Sequence, residues 1–289
     1  MNHIFYAIIY GISLLPMRIL YLFSWFLYIL SNYIIGYRRK VIYQNLKNSF
    51  PKKSETEIKS IQKKFYKNFA DYLIETLKAF SIQQKTLDKR YTYSNLALFE
   101  ECKKEGKNVM LMTGHIFNWE WYIGTRKHLP SKKTVAIYHH IYNRFWNEKI
   151  NNMRSKFGTI SLEMKKTARY MLSQPNDGDT TYLFIADQSP KRTHIQYDIN
   201  FLNQQTPVFS AFDKIARKLD MAIIYCNTVK TKQGYYHTTF ERITPKSGEF
   251  EEMEIVDSFF EKLETTIQKN PDNWLWSHKR WKYKKGIDY

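Results

Sequence analysis

The 289-residue chain carries 45 Lys and Arg against 27 Asp and Glu, a net charge of +18, and only two cysteines. Its length is enough to bury a real core, and its composition excludes a disordered, collagen-like or disulfide-stapled chain. The basic residues recur as doublets along the whole length (Arg38-Arg39, Lys63-Lys64, Lys132-Lys133, Lys165-Lys166, Lys191-Arg192, Lys279-Arg280) rather than in one tail. Such a surface attracts nucleic acid, anionic lipid or acidic protein, a solvated lysine-rich exterior being the plainer alternative. Cys102 and Cys226 show no metal spacing, and two thiols fit a reducing cytosolic face.

The first forty residues are far more apolar than the rest, and Pro16 and Arg18 split them. The piece Ile4 to Leu15 is too short to cross a bilayer, whereas Ile19 to Tyr37 is about as long as the ~20 residues a spanning helix needs. No charged start and no small-residue cleavage site mark a secretory signal. The segment therefore spans, lies in the interface or forms a buried hairpin. Its Tyr and Trp residues suit an interface, and "YRRK" at its end would face the cytoplasm. We expect a membrane anchor over residues 1–37, followed by one catalytic domain over residues 38–289.

From Arg38 to about Phe80 the pattern is helical, with Ser54 and Glu57 spaced as a capping box. A helix over Asn95 to about Glu105 ends at Gly106. The chain then alternates. "NVMLMTG" is a strand, followed by a helix carrying Glu120. "TVAIYHH" is a strand, followed by the helix "YNRFWNEKINNMRSKFG". "TTYLFIADQ" is a strand reaching Asp187. The helix "FSAFDKIARKLD", the strands "MAIIYCNT" and "YYHTTFERI" and a helix from Glu251 to Lys269 complete it. This order predicts an α/β fold with a mostly parallel central sheet flanked by helices. Ligands of such sheets bind beyond the carboxyl ends of the strands, where His115 and Asp187 fall.

The spacing from His115 to Glu120 is uninformative by itself, since eight histidines and 27 acids produce about one such pair by chance. Its setting carries more weight, because His115 follows a buried strand and a glycine. Five residues along a regular helix turn by about 140° from each other, so one helix cannot present both side chains together. If Asn118 caps the helix, His115 lies in the preceding turn and Glu120 in the first helical turn, and the two can meet. A carboxylate on one imidazole nitrogen fixes the tautomer and supports a general base for a hydroxyl. A structural histidine at a helix start is the alternative. No Gly-x-Ser-x-Gly elbow exists and neither cysteine is near, so direct attack by a substrate hydroxyl is simpler than a covalent intermediate.

"TGHIFNWEW" resembles the His-x4-acid motif of the glycerolipid acyltransferase superfamily, and more closely the form found in the late lipid A biosynthesis acyltransferases of the lauroyl/myristoyl type. "IIGYRRKVIYQNLKNSFP", "MRSKFG", "IADQSP", "FLNQQTPVFSAFDKIARKL" and "WLWSHKRWK" are similar to further blocks of that family in the same order. The likeness runs from about Leu15 to Lys282. Where the family has glycine two residues after the histidine, this chain has Phe117, a bulky residue in a turn expected to approach substrate.

The resemblance implies transfer of a fatty acyl chain from the thioester of acyl carrier protein to a hydroxyl of a lipid A precursor. It places the enzyme on the cytoplasmic face of the inner membrane with the carrier thioester as donor and no cofactor, and no metal is expected because no His/Asp/Glu cluster has ligand spacing. His115 would take the proton and Glu120 would steady the imidazole. Asn118 is read as a cap or orienting donor, and Trp119 and Trp121 as groove lining or packing. Asp187, Gln188 and Ser189 are candidate substrate contacts at a strand end. Arg154 is a candidate phosphate ligand. His278, Lys279, Arg280 and Lys282 are candidates for phosphates or headgroups, with Trp281 at the interface, and His139 and His140 for further substrate contacts. The positive surface then suits an acidic carrier, a phosphorylated acceptor and an anionic leaflet. A different acceptor (a lysophospholipid, an amino-acid lipid or a glycolipid) keeps the same chemistry. A non-catalytic basic membrane-binding protein is the rival of another class. Nucleic acid is not expected as a partner, since the greasy N-terminus and missing motifs argue against it.

Overall fold

The computed structural model describes every residue except Lys284 and Tyr289. Helices α1 (Asn2–Leu14), α2 (Met17–Ile29), α3 (Arg39–Ser49) and α4 (Glu55–Ala79) come first. Pro16 separates α1 from α2, as the sequence suggested, because its ring cannot continue a helix. The capping box of α4 is present: the Ser54 hydroxyl accepts from Glu57 N–H, and the Glu57 carboxylate accepts from Ser54 N–H.

Next come α5 (Gln84–Arg90), β1 (Tyr91–Ser94), α6 (Ala97–Lys104), β2 (Val109–Thr113), a 3-10 helix (Trp119–His128), β3 (Lys133–Tyr138), α7 (Arg144–Arg154), β4 (Ile160–Glu163), α8 (Met164–Ser173) and β5 (Thr180–Ile185). The hairpin of β6 (Tyr197–Phe201) and β7 (Gln204–Val208), then α9 (Ala211–Lys218), β8 (Ala222–Lys232), β9 (Tyr235–Ile243) and α10 (Glu254–Lys269) complete the chain order.

The main sheet has seven strands in the order β1-β9-β8-β2-β5-β3-β4. From β8 to β4 all neighbours are parallel, while β9 runs antiparallel to β8 and carries β1 at the edge. β2 is central and every one of its residues is buried, which explains its unbroken apolar run. Its register with β5 pairs Thr113 with Ile185. Continuing each strand by two residues brings His115 and Asp187 side by side, although 72 positions separate them in sequence.

α2 packs along α4. Its buried stripe is Met17, Leu20, Ser24 and Tyr28, while Leu22, Phe23, Trp25 and Phe26 stay exposed. Two polar contacts lock the pair: Ser24 donates to Asp71 in a buried bond (2.6 Å) and Tyr21 to Glu75 in a partly buried one (2.8 Å). The Tyr21 hydroxyl lies against the β8–β9 turn, where Gly234 has φ +70° and an added Cβ would sit 1.8 Å from that oxygen. Gly234→Ala therefore both strains the backbone and expels Tyr21. Its urea midpoint should fall by the equivalent of about 1–3 kcal/mol.

Candidate active site

The site forms where β2 and β5 end. Gly114 is required there: a Cβ would lie 2.7 Å from Leu263 of α10 and 3.1 Å from an Asp187 carboxylate oxygen. His115 follows, its Nδ1 2.5 Å from Asp187 Oδ1. The other Asp187 oxygen accepts from His115 N–H (2.8 Å) and from Trp274 Nε1–H (2.6 Å). Asp187 is almost fully buried. Burial pushes its pKa up, but the imidazole charge and the three N–H donors outweigh that and hold it at about 2. A permanently ionised Asp187 favours the tautomer with the proton on Nδ1, leaving Nε2 as a lone pair. The Gln188 amide nitrogen lies 3.1 Å from that lone pair. The His115 side chain retains 17% exposure, enough for a substrate to reach it.

The carboxylate on the imidazole is thus Asp187 and not Glu120, which corrects the expected His115–Glu120 hydrogen bond. The physical reason lies in the cap. Asn118 Oδ1 accepts from Glu120 N–H (3.0 Å), as the cap reading required, and this starts a 3-10 helix that turns Glu120 towards α7. There Arg154 grips it with two nitrogens, at 2.6 and 3.1 Å. Burial disfavours the Arg154 charge, but Glu120 more than offsets this and raises its pKa. Arg154 is therefore the partner of a buried acid rather than an unattached surface cation.

Phe117 resolves the departure from the glycine form. It is fully buried and faces α4, with its ring 5.3 to 6.3 Å from those of Phe65, Phe69 and Tyr72 and 5.6 Å from Trp119. The bulk lies behind the turn, away from His115. Trp119 packs on Tyr72 and lies edge-to-face with His115, while Trp121 is buried and donates to the Glu75 carbonyl. Both tryptophans pack the turn.

The segment after α10 closes the other side. Phe117 N–H donates to the Asn273 carbonyl, and Ile116 bridges to Trp274. Two expectations for this segment are corrected. Arg280 is fully buried, with its guanidinium donating to the Pro207 carbonyl (2.8 Å), because it props the β6–β7 hairpin and cannot face a headgroup. Trp281 likewise packs near Phe201 and Trp274 and donates to Thr206, instead of lying at an interface. Ser189 donates to the Arg280 carbonyl, a structural contact. His278 is partly buried near the Asp187–His115 pair; burial drives its pKa down to about 4, so it is a neutral imidazole. Lys279, Lys282, His139 and His140 are exposed, the last two just beyond β3.

The family model of the bacterial lipid A biosynthesis acyltransferases matches residues 1–283. The chain belongs to that family. It is accordingly an acyltransferase of lipid A synthesis, with a lipid acceptor and an acyl donor as its substrates. A comparison with curated proteins gives no match. Sequence reasoning in this lipid A acyltransferase missed Trp274 and Glu75 as parts of the site, and assigned Asp187 to substrate rather than to the histidine.

Proposed function

We propose that the enzyme moves a fatty acyl chain from the thioester of acyl carrier protein to a hydroxyl of a lipid A precursor, with His115 as general base and Asp187 as its orienting carboxylate. The observation that carries this reading is the Asp187 bridge, which holds the imidazole by side chain and backbone at once. The acceptor hydroxyl replaces Gln188 at Nε2 and gives up its proton there. The oxygen attacks the thioester carbonyl, and the expelled thiolate recovers the proton from the imidazolium. Such acid–base help is worth about 10²–10⁴-fold. Glu120 and Arg154 fix the 3-10 helix beside the base and are positioning residues on this reading. The +18 charge supports an acidic carrier and a phosphorylated acceptor. In cells lacking the gene, His115→Ala should leave the lipid A mass spectrum short of one acyl chain, whereas the unaltered protein restores it. An unchanged acyl count on deletion overturns the reading.

We further propose that α1 and α2 lie in one leaflet of the cytoplasmic membrane face rather than crossing it. Met17–Ile34 is long and apolar enough to span. It nevertheless runs along α4, from Lys78, which donates to the Ser13 and Leu15 carbonyls, to Lys63 beside Tyr33. α4 exposes Lys59, Lys63, Lys64 and Lys67, which could not follow α2 into hydrocarbon cheaply. The outward Phe5, Ile8, Leu22, Phe23, Trp25 and Phe26 suit shallow insertion, with Arg18 and Arg38–Lys40 near headgroups. A protease site placed before Met1 should be cleaved in inside-out vesicles together with the catalytic domain. Protection of that site would mean that the segment spans.

A further inference from the structure

Glu75 is a fully buried carboxylate in α4, and the reaction outlined above does not use it. Its oxygens accept three hydrogen bonds from three separate elements: Tyr21 of α2 (2.8 Å), Tyr236 of β9 (2.7 Å) and the Asn118 amide (3.0 Å). Its backbone carbonyl takes a fourth, from Trp121 (2.9 Å). Asn118 and Trp121 bracket Glu120, so one residue of α4 grips both ends of the segment that follows the base. Through Asn118 the grip passes on, because the same amide's oxygen caps the 3-10 helix at Glu120 N–H.

We propose that Glu75 is the positioning residue of the catalytic turn and ties its geometry to the membrane-facing helix α2. The inference rests on the reading of His115 as the base. All three side-chain partners donate to it, so the carboxyl serves each of them as an acceptor. Around it lie Asp71, Lys230, Tyr21 and Tyr236; burial pushes the Glu75 carboxyl up to about 7, with Lys230 and the tyrosine donors pulling the other way. The Asn118 orientation follows from its two contacts, the amide nitrogen on Glu75 and the oxygen on Glu120 N–H. Its NH2 must face Glu75, so its oxygen must face the helix start. Without Glu75 the amide could turn over, and the cap and the approach of the His115 turn would go with it.

The polarity of that one contact can be reversed. Asn118→Asp sets two carboxylates about 3 Å apart and should lower kcat by about 10²-fold with little change in donor KM. Glu75→Gln added to Asn118→Asp restores the bond in the opposite sense, since the amide introduced on α4 then donates to the new carboxylate at the turn. The double variant should recover kcat to within about tenfold of the parent. The acid limb of kcat/KM should be displaced in Asn118→Asp, because a displaced turn disturbs the His115–Asp187 bond, and should return in the double variant. A purely structural role would reduce the active fraction and leave the limb where it was. Tyr21→Phe guards against a misfolded single variant: it removes one donor and should lower kcat several-fold while vesicle binding stays unchanged. Normal kcat in a folded Asn118→Asp, no recovery in the double variant, or full activity in Tyr21→Phe overturns the proposal. If His115→Ala keeps turnover, the base reading fails first, and the two failures are told apart by that control.

Discussion

Asp187→Asn is expected to lower kcat by about 10³–10⁴-fold while the fold survives. The size follows from the donors around the carboxylate. Oδ2 receives two N–H groups, from Trp274 and the His115 backbone, whereas Oδ1 receives one. The single oxygen of an asparagine would settle where two donors converge. Its NH2 would then face Nδ1 and force the imidazole proton onto Nε2, the atom that must accept from substrate. Single-turnover kinetics with a labelled acyl donor would measure the loss. Acid stability gives an independent check. Asp187 has a folded pKa of about 2, below the ordinary carboxylate value near 3.9. Its stabilisation is complete above about pH 4 and disappears as pH falls towards 2. The gap in urea midpoint between the parent and Asp187→Asn should accordingly hold above that pH and narrow below it.

The Glu120–Arg154 pair should give the second large effect, of a different kind. Arg154→Met leaves a carboxylate that is only 8% exposed without its bidentate partner. Removing one member of a buried pair costs about 3–5 kcal/mol, and the quarter exposure of Arg154 brings the expectation to about 2–3. Glu120→Gln keeps a hydrogen bond and should be milder, and combining the two should recover much of the stability. The activity profile separates the two acids. Glu120→Gln should leave the acid limb of kcat/KM in place, because Asp187 and not Glu120 touches the imidazole. A shifted limb in that variant would restore Glu120 to the histidine.

The strand–helix alternation was legible because periodicity and stop residues agree locally, as in the buried run before His115 and the box at Ser54. The elements that escaped are α5, β1, β4, α8 and the β6–β7 hairpin; all but α8 are made of segments of seven residues or fewer, too few for a period to show. The site was half legible. His115 announced itself by following a strand and a glycine, and Asn118 by its capping chemistry. Asp187 could be placed at a strand end, yet its meeting with His115 depends on which strands are neighbours, and only the β2–β5 register supplies that. Glu120 is a misleading candidate because residues close in sequence need not bring their side chains together. Glu75 did leave a trace, an acid within the apolar stripe of α4 beside Ile74 and Tyr72, but a stripe position alone names no partners.

On the proposed mechanism, Gln188 would act as a latch on the resting enzyme. With its amide seated on the imidazole lone pair, a stray solvent molecule must compete with a tethered neighbour before it can be activated, while an acceptor held by its own sugar and chains arrives with the advantage of position. An enzyme with its donor bound and waiting for its lipid would on this account keep the thioester intact rather than lose it to water.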